Sequence, residues 1–282
     1  MEIIDYRSQE APLKFMESIK KTGFSVIKNH PINNKSLNKF QSNWLQKFFN
    51  QEAIKNQFPF NKETQHGFLP TNKAEIAKNF DAPDIKEMYQ YYPKYKAHLP
   101  PELLTETDFF YQELKKIGLT LLKWIEDNSP KEITAKFSQS LVDMTAKNQR
   151  SMMRLIHYPP INNLSSTTSV RAAEHEDICL LTVLPSSSKS GLQIKTKDQK
   201  WISIPNDENN LIINTGDMLA EITDNYYPST THRVINPQNI NENTSRIATP
   251  LFIHPDKNIK LSTAHTSCSL LNKRLQELGL IK

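Results

Sequence analysis

The chain has 282 residues, 37% of them apolar, and 35 basic against 30 acidic side chains give a formal net charge of +5. That is enough apolar matter for a substantial core, expected as one unit with helical additions rather than two equal halves. The charges are interspersed, with no basic block or aromatic-basic stripe, so nucleic acid is not an expected partner. No apolar run approaches the roughly 20 residues of a membrane span, and no charged-then-apolar leader follows Met1, so the chain reads as soluble and cytoplasmic, with no membrane partner. Its two cysteines, Cys179 and Cys268, read as buried free thiols rather than a disulfide framework.

Glu2-Ile3-Ile4-Asp5 is a short strand signal. Ser8 is placed to cap a helix whose apolar positions are Pro12, Phe15, Met16 and Ile19, and Gly23 to end it. Phe24–Ile27 reads as a strand stopped at His30-Pro31, with His30 a loop or cap residue. Leu37, Phe40, Trp44 and Phe48 repeat at helical spacing and are expected in the core. Residues 58–101 are irregular, with a turn at Gly67 and Pro70. Within them Met88–Pro93 is a strand candidate whose tyrosines either line a pocket or pack on the core, packing being favoured. Phe110, Leu114, Ile117, Leu121 and Trp124 keep a helical period over about 20 residues, the longest such signal here. A shorter helical pattern spans Ile133–Val142.

From Met152 the apolar runs shorten and turn signals multiply. Expected strands are Met152–Tyr158, Ala173–Leu184, Gly191–Thr196, Trp201–Ile204, Leu211–Asn214, Thr231–Asn236 and Arg246–His254, with a turn at Gly216-Asp217. A last helix carries Leu271, Arg274, Leu275 and Leu278. Closed by two Greek keys, such strands are expected to form a double-sheet jelly roll with flanking helices, an α+β fold that is mainly β. Residues 1–100 form an N-terminal helix and strand region, 101–150 the scaffold helices, and 151–282 the jelly-roll core with the last helix.

The chemistry concentrates at His175-Glu176-Asp177. Strand alternation turns His175 and Asp177 to one face, and His232, from a separate strand, adds a second imidazole. Two nitrogens and one oxygen on one side of a metal form the facial triad of non-haem Fe(II) oxygenases. Separately satisfied polar residues, or a zinc hydrolase site, are the other readings of the same residues. Arg246 and Ala248 share one face of the last strand. Arg246 is either a buried cation awaiting a carboxylate or a surface residue, weighed evenly, and Tyr158 either meets the same anion or packs. Asp217 and Arg233 read as structural supports.

These pieces together resemble the isopenicillin N synthase-like branch of the iron(II)/2-oxoglutarate-dependent oxygenases. The matching run comprises Arg154-Leu155-Ile156-His157-Tyr158-Pro159-Pro160, the His175/Asp177 segment, Gly191-Leu192-Gln193-Ile194, Trp201-Ile202, Asn214-Thr215-Gly216-Asp217, Thr231-His232-Arg233-Val234 and Arg246-Ile247-Ala248. Lys21-Thr22-Gly23-Phe24 and Lys28-Asn29-His30-Pro31 add a looser N-terminal likeness. The resemblance implies a distorted jelly roll with Fe(II) on His175, Asp177 and His232, and 2-oxoglutarate chelating the iron, its far carboxylate on Arg246 and Tyr158. It implies that the jelly roll is a distorted double-stranded β-helix, and that the chain is an oxidoreductase that uses O2 to hydroxylate, desaturate or cyclise a small organic molecule, with succinate and CO2 as coproducts. Two alternatives stay open: an oxidase of the same fold without 2-oxoglutarate, in which Arg246 holds the substrate's carboxylate, and a non-catalytic metal-binding relative.

The chain departs from the family pattern twice. Where the family has Arg-x-Ser, this chain has Ala248, and the hydroxyl of Thr249 should turn to the opposite face; the lost hydrogen bond is worth about 1 kcal/mol. His157 stands where many relatives have Asn and is read as structural. Substrate walls are expected from residues 58–101 and the loops Asn162–Val170 and Ser186–Ser190, which carry no readable code for the substrate. Oligomeric state is likewise unwritten in the sequence.

Overall fold

The computed structural model describes residues 2–73, 83–147, 150–162, 169–187 and 189–277. After β1 (Ile3–Asp5), α1 (Ala11–Thr22) buries Ala11, Phe15, Met16 and Ile19. It begins later than Ser8 predicts: the Ser8 carbonyl accepts from the Ala11 N–H, and its hydroxyl accepts from Glu10 N–H rather than capping the helix. Gly23, at φ 68°, donates to Ile19 O and ends it, and β2 (Phe24–Lys28) starts at once.

Helix α2 (Asn34–Trp44) is capped by the Asn33 side chain and buries Leu37, Phe40 and Trp44. A π-helical turn, Leu45–Phe49, carries the stripe on, so that Phe48 and Phe49 are both buried. After α3 (Glu52–Lys55), Gly67 opens β3 (Gly67–Leu69) and Pro70 follows it, where a plain turn is expected, because the backbone of β3 pairs with β4 (Glu87–Tyr91). Tyr89 and Tyr91 of β4 are 1% exposed, so the tyrosines pack. The long helix α4 (Pro101–Asn128) buries Phe110, Leu114, Ile117 and Leu121. The helix expected over Ile133–Val142 reduces to the single turn α5 (Lys131–Thr134), with a 3-10 turn at Asp143–Thr145; between them Leu141 N–H is taken by Glu126 Oε2 instead of a helical carbonyl.

The second half contains β5 (Met152–Tyr158), β6 (Ala172–His175), β7 (Leu181–Pro185), β8 (Leu192–Lys195), β9 (Trp201–Ser203), β10 (Leu211–Thr215), α6 (Asp217–Ile222), β11 (His232–Val234), β12 (Arg246–Ala248), β13 (Leu251–Ile253) and α7 (Ser267–Glu277). Two expected long strands are broken. Ala173–Leu184 splits into β6 and β7, which belong to different sheets. Arg246–His254 splits at Thr249-Pro250, where proline has no N–H for the ladder and its carbonyl instead accepts from Arg154. Gly216-Asp217 opens α6 rather than a simple turn. In α7 Leu270 is buried; Leu278 lies outside the described residues.

A nine-stranded sheet runs β1-β2-β10-β7-β13-β5-β4-β3, with β12 also on β5, and a four-stranded sheet runs β6-β11-β8-β9. Alternation gives the large sheet two apolar faces. Ile27, Met153, Leu155, Leu211 and Ile213 pack with α1, α2 and α4, whereas Phe24, Val26, Ile156, Tyr158, Ile212 and Ala248 meet Ala172, Leu192, Ile194 and Val234 of the small sheet. The second set is the interior of the jelly roll. No helix among the described residues is long and apolar enough to cross a membrane.

Helices α2 and α4 are joined by one buried polar contact, Trp44 Nε1–H to Thr107 Oγ1 at 3.1 Å. Thr107→Val keeps the shape and strands the indole N–H, so stability should fall by about 1–3 kcal/mol, read as a lower denaturant midpoint at unchanged slope.

Candidate active site

His232 of β11 stands directly across the ladder from His175 of β6, and the ring centroids are 4.3 Å apart. A register shift between His232 and Val234 marks a bulge at this point. Each imidazole is held by a backbone carbonyl two residues earlier: His175 Nδ1 by Ala173 O at 2.8 Å, and His232 Nδ1 by Thr230 O at 3.1 Å. A carbonyl can only accept, so Nδ1 carries a proton in both rings, which leaves Nε2 as the nitrogen turned to a metal. Phe24 packs edge-on to the His232 ring at 5.4 Å.

Asp177 reaches the same space by a different route from the one the sequence predicts. Strand β6 ends at His175, and Asp177 sits in the turn by which the chain crosses from the small sheet to the large one. Its Oδ2 accepts from Thr182 Oγ1 at 2.5 Å and Asn214 Nδ2 at 2.8 Å, on β7 and β10. Its Oδ1 is left facing the imidazoles, 3.9 Å from His175 Nε2 and 3.8 Å from His232 Nε2. The three ligand atoms lie within 4.8 Å of one another, and no other group of three such residues occurs among the described residues. Burial alone would raise the Asp177 carboxyl, but the two imidazoles, Asn214 and Thr182 outweigh it and hold it below the usual range. Burial, with His232 beside it, pushes His175 down, which favours the neutral ligand form. Two imidazole nitrogens and one carboxylate oxygen, all from one side, fit a divalent iron with open positions.

The turn carrying Asp177 is fixed by Gly216. The N–H groups of Gly216, Asp217 and Met218 donate to Leu180 O, Asp177 O and Cys179 O. A Cβ at Gly216 would lie 2.4 Å from Cys179 O and 2.6 Å from Asp177 O. Cys179 itself is buried, its Sγ 3.4 Å from Thr182 Oγ1, and burial pushes its thiol well up.

Arg246 is buried, 4% exposed, which decides a question that the sequence leaves even. It stands opposite Tyr158 in the β12–β5 ladder, its guanidinium 5.0 Å from the ring centroid. Its Nε reaches Lys189 O at 3.4 Å, and its Nη1 is buried without a partner among the described residues. Ala248, two residues on, joins the apolar interior, while Thr249 turns away and accepts from Gln41 of α2 at 3.2 Å. His157 also faces away, bridging Glu87 at 2.8 Å and Ser245 at 3.1 Å. Asp217 pairs with Arg274 at 2.8 Å, and Arg233 donates to Gln193 and lies 4.0 Å over Trp201, so both act as supports. Cavity walls expected from 163–168, 188 and 74–82 lie outside the described residues.

Sequence reasoning missed three contributors. Thr182 and Asn214 hold the spare carboxylate oxygen of Asp177; Asn214 was visible within its motif, without a role. Arg171 is 2% exposed, with Nη2 on Thr244 O at 2.9 Å and Nε buried without a partner among the described residues.

Residues 149–255 match the model of the 2OG-Fe(II) oxygenase superfamily. A candidate oxygenase structure from Shewanella oneidensis is 44% identical over 100% of this chain and 99% of its own, with a TM-score of 0.89. Gibberellin 2-beta-dioxygenase 2 of Arabidopsis thaliana is 25% identical over 243 residues, 83% of this chain and 69% of that protein. A full-length Neurospora crassa protein solved in complex with alpha-KG shares the fold, with a TM-score of 0.80 at 22% identity over 98% of this chain and 95% of its own. The chain belongs to the 2OG-Fe(II) oxygenase superfamily. It is an oxidoreductase of the Fe(II)- and 2-oxoglutarate-dependent kind, with O2 as the usual co-substrate, and its sheets form the jelly roll of that family.

Gly216→Ala should displace the Asp177 turn. We expect a stability loss of about 1–3 kcal/mol together with weakened binding of Fe(II) or Mn(II), checked by denaturation and by metal titration of the same preparation.

Proposed function

We propose that His175 Nε2, His232 Nε2 and Asp177 Oδ1 bind the iron, and that Arg246, with Tyr158 beneath it, takes the far carboxylate of 2-oxoglutarate. The substrate is a small organic molecule, oxidised at a C–H bond by hydroxylation, desaturation or cyclisation. Residues 151–282 form the unit that holds iron and cosubstrate, framed by 1–100 and 101–150. The observation that carries this reading is the meeting of three free ligand atoms within 4.8 Å at an interior that also receives a buried guanidinium with an unmet donor.

Iron(II) with 2-oxoglutarate supplies the oxidising chemistry when bound, consuming O2 and releasing succinate and CO2. The chain's own part is placement. The carbonyls of Ala173 and Thr230 aim the imidazoles, and Thr182 and Asn214 stop the Asp177 carboxylate from rotating. Arg246 orients a carboxylate by charge and planar donor geometry. The apolar interior formed by Phe24, Ile156, Ile194, Ala248 and their neighbours limits water at the reacting bond. With alanine at 248, the cosubstrate relies on Arg246 and Tyr158 without a serine hydroxyl.

Anaerobic titration of the Fe(II)-loaded protein with 2-oxoglutarate should develop a weak, saturable visible charge-transfer band; iron bound with no band would refute the cosubstrate assignment. His175→Ala or Asp177→Ala should lower metal affinity more than the roughly 10–100-fold seen on losing a mere supporting partner, with circular dichroism unchanged. Full turnover in either variant would refute the ligand assignment. Arg246→Leu should weaken 2-oxoglutarate by about 10- to 100-fold, the equivalent of roughly 1.5–3 kcal/mol for a charge-assisted hydrogen bond.

A further inference from the structure

Among the described residues four lysine or arginine side chains are buried: Lys55, Lys86, Arg171 and Arg246. The two lysines each have a carboxylate. Lys55 meets Glu52 at 2.8 Å and Glu87 at 3.1 Å, and Lys86 meets Asp84 at 2.7 Å. The two arginines have none among the described residues. A buried cation without a counter-charge is costly, so its counter-charge is to be sought in a bound molecule.

Arg246 is accounted for by 2-oxoglutarate. Arg171 is not. Iron(II), the Asp177 carboxylate, the doubly charged keto acid and Arg246 together balance to neutrality, and Arg171 leaves one positive charge over. Its place in the fold ties it to the site on three sides. It immediately precedes β6, the strand of His175; its N–H donates to Asn236, two residues beyond the strand of His232; and its Nη2 donates to Thr244 O, two residues ahead of Arg246. Two donors thus fix the residue, and Nε remains buried and unpaired among the described residues. Burial and the neighbouring Arg246 both push Arg171 below the ordinary arginine range, partly offset by Tyr158, with no carboxylate among the causes.

We propose that Arg171 is the substrate-binding cation of this enzyme, and that its substrate carries an oxyanion, a carboxylate or a phosphate, held by this guanidinium while the bond to be oxidised faces the metal. This inference rests on the assignment of Arg246 to 2-oxoglutarate; were Arg246 free, the substrate could use it instead. An arginine fixed on one side by Thr244 keeps its fork geometry for a planar or tetrahedral oxyanion.

The test is a calorimetric titration of the anaerobic Fe(II)/2-oxoglutarate-loaded enzyme with benzoate and with inorganic phosphate, at low ionic strength to limit screening. Wild type should bind one equivalent of at least one probe, and which one distinguishes a carboxylate from a phosphate site. Arg171→Gln should weaken that binding by about tenfold or more, the worth of one charged hydrogen bond, while the 2-oxoglutarate Kd stays within about twofold. Arg171→Lys keeps the charge without the fork and should bind less tightly than wild type, which serves if the Gln variant does not fold. Binding of neither probe to wild type, or equal affinity in wild type and both variants, overturns the proposal. Equal loss of probe and 2-oxoglutarate in Arg171→Gln also overturns it, by moving Arg171 into the cosubstrate site. An Arg246→Leu variant that still binds 2-oxoglutarate normally would instead refute the underlying assignment, whatever the probes do.

Discussion

The two oxygens of Asp177 have divided duties, and the site depends on that division. Oδ2 is held by Thr182 and Asn214, on two adjacent strands in the middle of the large sheet, and only Oδ1 is left for a metal. The two imidazoles come from the small sheet. Neither sheet contains the three candidate ligands alone. The turn from β6 to β7, clamped by three N–H groups after Thr215, sets the distance between the two halves. A carboxylate with both oxygens free would be a flexible ligand; one fixed by two hydrogen bonds carries the rigidity of the sheet behind it.

Much of this was legible in the residue pattern, though the physical reason sometimes differs. The strand Met152–Tyr158 is legible to the residue, because Pro159-Pro160 ends it sharply. His175, Asp177 and His232 are identified by residue type and order, yet the alternation argument that puts Asp177 on the strand of His175 fails, since that strand stops at His175. A continuous apolar run conceals such a crossing, because residues buried in a turn between sheets look like residues buried in a strand. The split of Arg246–His254 at Thr249-Pro250 was readable from the proline. The burial of Arg246 and Arg171 was not, because no local pattern separates an arginine enclosed by distant strands from one at the surface. Thr182 and Asn214 escaped for the same reason: their role exists only once β7 and β10 are paired.

Alanine at 248 keeps the fold and alters the cosubstrate's surroundings. In this chain the nearest hydroxyl along the strand, on Thr249, is committed to Gln41 and so joins the sheet to α2 instead. The chain's superfamily includes 2-oxoglutarate-dependent dioxygenases, and we propose that this chain uses the keto acid as they do. On that proposal the departure bears on how tightly the keto acid is held, and Arg246 and Tyr158 would take a larger share of that task than in a chain with serine.

Cys179 is a buried thiol close in sequence to the candidate ligand Asp177. It lies two residues from Asp177, and its sulfur contacts Thr182, which also holds Asp177 Oδ2. Thiolate, not thiol, is the soft ligand that captures copper(I) or zinc and the form most readily oxidised. By burying this thiol and holding it protonated, the fold keeps the neighbourhood of the triad one of hard and borderline donors. If the three residues hold iron as proposed, a thiol kept buried and protonated two residues from Asp177 would offer a thiophilic metal no sulfur ligand there.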